Sequence, residues 1–160
     1  MCCATSMKTA RNAPTPPEEP QLAGISPILP QNDDFHYKLQ DFAFCSADDL
    51  FKQVSKAGRS APGAPAARPG TTTDITLTGG DPITQVIDPA ARRITNITQE
   101  RHRYHSGTVQ ISITPTWHGS AIMIEGRGTG PYYLENRLLG AAVFSGLAAL
   151  STIGCTVEAN

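Results

Sequence analysis

"GTVQISITPTWHGSAIMIEG" spans residues 107–126 and contains the clearest strand pattern in this 160-residue chain. Val109, Ile111 and Ile113 alternate with polar side chains, which is the period of a half-buried β-strand. The "TWHGS" that follows has the composition of a turn, and "AIMIEG" is a second apolar run. The segment therefore predicts a β-hairpin.

Shorter strand patterns lie on the N-terminal side of this hairpin. "TDITLTG" (73–79) predicts one half-buried strand, and "PITQVIDPAARRITNITQ" (82–99) predicts two strands joined at Pro-Ala-Ala. In "DDFHYKLQDFAFC" (33–45) apolar and polar residues alternate with one interruption, which predicts a strand with a bend or bulge. "SADDLFKQVSKAG" (46–58) predicts a helix that is capped by Ser46.

The C-terminal segment "PYYLENRLLGAAVFSGLAALSTIGCTV" (131–157) predicts a helix that lies on the sheet. Larger residues follow one face, and smaller residues follow the other; the larger ones are Leu139, Val143, Leu147 and Leu150. Leu138 to Val157 carries no charge and is long enough to span a bilayer, so a tail-anchored membrane protein stays an alternative. The difference in size between the two faces favours a buried helix.

These elements predict a small α+β protein with a largely antiparallel β-sheet packed against a C-terminal helix. Residues 1–31 are rich in proline and predict a disordered or extended arm. A strand-helix unit (33–58) follows, then a Pro/Gly/Ala-rich linker (59–73) and the α+β domain (74–157).

The N-terminal residues and the four cysteines bear on the compartment. The N-terminus lacks the apolar region of a signal peptide, which predicts a cytoplasmic protein or one exported by a dedicated secretion system. The cysteines show no C-x-x-C spacing, so we expect a reducing environment and an inert thiol at Cys155 in the apolar helix.

The charges nearly cancel over the chain, which contains 13 Lys and Arg and 14 Asp and Glu. The balance gives no strong signal for nucleic acid, so an electrostatic partner must be recognised locally. In "ERHRYHS" (100–106), His105 and His102 are candidate acid-base groups, and Arg101 and Arg103 are candidates for holding an anionic group. The arginines disfavour a bound cation, and we predict neither a metal nor a cofactor.

"EGRGTGP" (125–131) predicts a glycine-rich turn before the last helix. The backbone N–H groups of Gly126, Gly128 and Gly130 could hold an anion there, with Arg127 adding charge. The spacing matches neither G-x-G-x-x-G nor a P-loop, which disfavours a nucleotide.

Tyr132 and Asn136 are candidate substrate-binding residues, because with Tyr104 they could line a cleft between the 100–106 loop and the last helix. A purely structural role stays open for all of these residues. The histidines could bond to backbone groups in a surface loop, and the glycines could simply permit a turn.

The order "NIT…HRYHSGTV…IEGRGTGPYYLENRLLGAAVFSGL" resembles a segment in the C-terminal domains of bacterial polymorphic toxins and related secreted effectors, over about residues 94–150. The recurring positions are Asn96, His105, Gly126, Gly128, Gly130 and Asn136. The resemblance implies a secreted effector or toxin-type domain that acts on an unidentified substrate, and the arginines make an anionic substrate one option. A non-catalytic module that binds a small ligand, a lipid or a protein is the alternative, and whether the chain is an enzyme stays open.

Overall fold

The computed structural model describes residues 34–130 and 132–158, which form a six-stranded antiparallel sheet with a helix across one face. The elements are β1 (Asp34–Ala43), α1 (Ala47–Val54), β2 (Thr72–Thr76), β3 (Pro82–Asp88), β4 (Arg93–Thr98), β5 (Gly107–Thr116), β6 (Gly119–Thr129), α2 (Tyr133–Glu135), a π-helical turn (Asn136–Gly140) and α3 (Ala141–Glu158). The strand order is β1-β6-β5-β4-β3-β2. This architecture confirms the predicted α+β class, and the predicted arm over 1–31 lies outside the described residues.

Both predicted hairpins are confirmed. β5 and β6 pair in continuous register up to Thr116 opposite Gly119, so Trp117 and His118 alone form the loop. β3 and β4 pair up to Asp88 opposite Arg93. Alternating burial along β3 and β5 places one face of each strand in the core, as their period-two patterns predict.

β1 joins the sheet beside β6, in an unbroken register from Asp34 opposite Thr129 to Ala43 opposite Ser120. The predicted bulge is therefore wrong. The alternation slips because Phe42 and Phe44 lie on the outside, where they are 61% and 79% exposed. Only the smaller apolar side chains at this end of β1 enter the core.

α1 begins where the sequence predicts, because the Ser46 hydroxyl accepts a hydrogen bond from the Asp49 N–H at 3.1 Å. Its buried face packs on α3 and the sheet. The residues that follow, predicted to be a linker, are partly packed: Ala61 and Ala64 form a small buried cluster with Ile83.

α3 lies across the inward face of the sheet, as predicted, and its buried side chains are small apart from Phe144. Phe144, Ala148 and Cys155 are buried, whereas Leu139 and Leu150 are each 52% exposed. By length and composition, Asn136–Cys155 could cross a membrane. One side of this segment nevertheless packs against β1 and α1.

A disulfide bond joins Cys45, just after β1, to Cys155 near the end of α3. The expectation of an inert thiol at Cys155 is wrong, because the fold brings together two cysteines that are 110 residues apart in sequence. A cross-link over so long a loop restricts the unfolded chain strongly and so stabilises the folded one. It also fixes the C-terminal end of α3 on the sheet.

Gly126 lies within β6, directly opposite Tyr37 of β1. The ring of Tyr37 covers the Gly126 backbone so closely that a Cβ at position 126 would overlap the ring. Gly126 and Gly128 are thus strand residues, and the prediction that they form a turn is wrong. Glycine is required at 126 by close packing.

Replacing both Cys45 and Cys155 with serine should lower the free energy of unfolding by about 2–4 kcal/mol, because the unfolded chain regains the freedom that the cross-link removes. Urea unfolding measures the change, and a Cys2→Ser, Cys3→Ser double variant is the matched control. Four alkylatable thiols in the unreduced wild-type protein would contradict the disulfide.

Gly126→Ala should lower the free energy of unfolding by about 1–3 kcal/mol, because the added methyl group displaces the Tyr37 ring from a packed core. Gly146→Ala is the control, since a Cβ at 146 meets no atom within 4 Å. Thermal or urea unfolding of both variants tests this, and equal stabilities would contradict the packing explanation.

Candidate functional site

A cavity of about 250 Å³ lies between the inward face of the sheet and the helical segment that leads into α3. Much of its lining is apolar: Leu77, Ile83, Val109, Leu139, Val143 and Phe144. Eight polar side chains line the same space: Thr78, Asp81, Asn96, Thr98, His102, Tyr104, Thr108 and Asn136. An apolar cavity with a few polar groups is the usual form of a small-molecule site.

The cavity exists because the side chains at this end of the molecule are small. Along β5 the inward residues are Ile113 and Ile111 in the core, then Val109 and Gly107 at the cavity. On the opposite wall, the π-helical turn presents Asn136 and Gly140. A π-helical turn of this kind is frequent at functional sites.

Asn96 is the most buried polar group of the cavity, at 5% exposed. Its side-chain oxygen accepts a hydrogen bond from the Gln85 amide at 2.9 Å, and its own amide donates to the Ser60 carbonyl at 2.8 Å. Gln85 also donates to the Ser60 hydroxyl at 3.0 Å. This network fixes the Asn96 amide, which keeps one N–H and one acceptor position for another partner.

His102 enters the cavity as a neutral hydrogen-bond donor. Its Nδ1 accepts a hydrogen bond from the Tyr104 backbone N–H at 3.1 Å, so the neutral ring carries its proton on Nε2. Burial lowers the pKa of His102, and the nearby Arg103 and His105 lower it further against the opposing effect of Asp81. The ring is therefore uncharged at neutral pH.

Tyr104 connects the 100–106 loop to the start of the helical segment. Its hydroxyl donates to Glu135 at 2.8 Å, and its ring meets Tyr132 edge-on with centroids 6.5 Å apart. Burial, followed by the hydrogen bond to Glu135, raises the pKa of Tyr104. One helical turn after Tyr132, the side-chain amide of Asn136 lines the cavity. It has no hydrogen-bond partner among residues 34–130 and 132–158.

The structure brings only some of the predicted site residues to this cavity. His102 and Asn136 line it, and Tyr132 is an exposed neighbour of Tyr104. His105 is exposed and hydrogen-bonded to the Thr98 carbonyl at 3.1 Å, outside the cavity lining.

The predicted anion-binding arginines lie elsewhere. Arg103 is exposed and pairs with Asp81 at 3.0 Å, and Arg101 borders a separate shallow depression. Arg127 is on the outer face of β6, bonded to Glu125, which also bonds His36. These positions do not form one cluster.

The predicted anion-binding glycine turn is not formed. Gly126 and Gly128 lie within β6, whose register with its neighbouring strands includes both glycines. Gly130 follows the strand with φ +134°, beside the His105 carbonyl. Among the residues that the structure describes, no cluster of His, Cys, Asp and Glu side chains could hold a metal ion.

Sequence reasoning missed Asn96 as a group that faces the cavity, and it missed Asp81, Thr98 and the apolar walls. A signal for Asn96 was present. In "ITNIT" (94–98) Ile94, Asn96 and Thr98 share one strand face, so a buried isoleucine predicts that the polar residue beside it also points inward.

No protein-family model matches this sequence, and no curated protein matches it. Solved structures share its fold. A protein from Nitrosospira multiformis aligns with a TM-score of 0.57 and 13% identity, over 78% of this chain and 98% of that one. A norcoclaurine synthase from Thalictrum flavum, a point mutant in complex with a transition-state analogue, aligns with a TM-score of 0.52 and 16% identity. The alignment covers 81% of this chain and 97% of that one.

The di-domain aromatase/cyclase StfQ of the steffimycin biosynthetic pathway aligns with a TM-score of 0.56 and 15% identity, over 78% of this chain. The alignment covers 52% of that chain. At such identities the similarity shows the fold alone. What the chain shares with these proteins is the arrangement of an antiparallel sheet and a C-terminal helix.

Proposed function

We propose that the protein binds a small, uncharged and largely apolar molecule in the cavity between the sheet and the helical segment before α3. The observation that carries the proposal is the combination of apolar walls with three uncharged polar side chains, Asn96, His102 and Asn136. Burial of the apolar part of a ligand supplies the affinity, and hydrogen bonds to the three side chains orient its polar group.

Charge favours this function over action on an anionic substrate. The carboxyl group in the lining, Asp81, is paired with Arg103, and the other predicted arginines lie outside the lining. A buried anion without a paired cation is strongly disfavoured. A carbonyl or hydroxyl group, in contrast, needs only the donors and acceptors that are present.

Size limits the ligand further. Since an apolar cavity of about 150 Å³ can hold benzene, the space here suits a ligand of roughly two fused rings. The toxin-type function stays a prediction. Of the two predicted locations, the disulfide favours export by a dedicated secretion system, because disulfides persist mainly in oxidising compartments.

Titration of the full-length protein with 2-acetylnaphthalene, observed by NMR or calorimetry, should give a Kd of about 10–100 µM, as expected for a small ligand of modest efficiency. Val143→Trp should abolish binding, because Val143 lines the cavity and a tryptophan there fills it. Leu138→Trp, on the same helical segment but outside the lining, is the control. Binding unaffected by Val143→Trp would contradict the proposal.

The polar contacts are tested with a second ligand. His102→Phe should weaken 2-acetylnaphthalene about fivefold, the effect of one hydrogen bond, and leave naphthalene unchanged. An equal loss for the two ligands would contradict the assigned role, because it would indicate a change of cavity shape.

The depressed pKa of His102 has a consequence for stability. The unfolded chain binds a proton at this residue near pH 6.5 and the folded chain only at lower pH. The stabilisation is complete above about pH 6.5 and is lost as the pH falls through the folded pKa. Between pH 7.5 and pH 5.5, the free energy of unfolding measured in urea should fall more for wild type than for His102→Gln. His118→Gln, at the β5–β6 loop, should behave as wild type.

A further inference from the structure

The side of α3 that faces away from the sheet is almost entirely apolar. Seven residues of α3 and of the π-helical turn before it lie along this side, and we call them the outer face: Leu139, Ala142, Val143, Gly146, Ala149, Leu150 and Ile153. Leu139 and Leu150 are each 52% exposed, and Ile153 is 63% exposed. Exposed apolar residues that form a continuous patch mark a contact surface, whereas scattered ones do not.

The outer face is complementary to itself. Gly146 is at its centre, and a Cβ there would meet nothing within 4 Å. Residues at equal distances on either side of Gly146 differ in size: Ala142 corresponds to Leu150, and Val143 corresponds to Ala149. When two such helices cross antiparallel at Gly146, the large side chains nearest the crossing, Val143 and Leu150, meet small ones of the other helix. Two turns from Gly146, Leu139 meets Ile153.

We propose that the occupant of the outer face is a second copy of this chain, related by a two-fold axis that passes near Gly146. A two-fold contact requires the same surface on both copies to be self-complementary, which is the property of this face. The glycine lets the two backbones approach closely, and the leucines and isoleucines on either side supply the buried apolar area.

Charge favours a second copy over a membrane surface. Helices that lie on membranes generally carry Lys or Arg along their polar side. After Arg137 the sequence contains no Lys or Arg. The side of α3 opposite the outer face is also occupied, because it packs on the sheet and is joined to it by the Cys45–Cys155 disulfide.

The size of the face sets the expected strength. About half of each large side chain is exposed, which amounts to on the order of 500 Å² of apolar surface per copy. Stable complexes bury about 800 Å² per partner, so a reversible dimer is expected, with a dissociation constant in the micromolar range. Leu139 and Val143 also line the cavity, so the second copy would lie beside its opening.

Sedimentation velocity of the full-length protein from about 5 to 500 µM tests the proposal, and a monomer-dimer equilibrium in this range is the expected result. Leu150→Glu should weaken the dimer at least tenfold. Leu134→Glu is the matched control, because Leu134 is 55% exposed but lies outside the crossing. A wild-type monomer at every concentration would overturn the proposal, and so would equal effects of the two variants.

A cross-link tests the geometry without introducing a charge. With Cys2 and Cys3 changed to serine, Gly146→Cys should form a disulfide-linked dimer on mild oxidation, because the two copies of residue 146 meet at the axis. Leu134→Cys should not. Failure of Gly146→Cys to cross-link would overturn the antiparallel crossing. A different outcome is that the protein co-sediments with phosphatidylcholine vesicles and loses this binding equally in Leu150→Glu and Leu134→Glu. That result would identify a membrane surface as the occupant instead.

Discussion

The packing of α3 on the inward isoleucines of the sheet is the interaction on which the rest of the structure depends. At the C-terminal end of the helix the inward side chains are small, Ala148 and Ser151, and the disulfide at Cys155 holds this end close to β1. At the N-terminal end the inward side chain is Phe144, and the chain widens into a π-helical turn. Close packing at one end and a gap at the other follow from this gradient of side-chain size.

Two of the polar groups in this gap, Asn96 and His102, are held by neighbouring groups. The Asn96 amide is fixed by Gln85 and Ser60, and the His102 ring by the Tyr104 N–H. A buried polar group without a partner is costly, so a donor or acceptor position that the protein leaves open favours a ligand that fills it. Asn96 and His102 are therefore fixed in position and carry no charge, which suits recognition of a neutral group.

The parts of the fold that were predictable are those specified by local sequence. The β5–β6 hairpin and the Ser46 cap of α1 depend on residues within a few positions of each other. The pairing of β1 with β6 and the Cys45–Cys155 bond join residues about a hundred positions apart, and no local pattern specifies them. The same limit applies to the cavity, whose polar groups come from separate strands and loops. His102 and Asn136 were candidates because of their chemistry, but the arginines beside them face outward.

The sequence pattern of α3 correctly predicted a helix, but it did not show which face of the helix packs on the sheet. Its two faces differ in side-chain size but hardly in polarity, so periodicity predicted a helix without showing which face the sheet would cover. The sheet covers Phe144 together with small side chains, which permit a close approach and include the cross-linking Cys155. Leu139, Val143, Leu150 and Ile153 remain at the surface, where exposed apolar area is unfavourable. A helix that is apolar on all sides is normally buried on all sides. The sequence of α3 is thus explained only in part by the contacts within one chain.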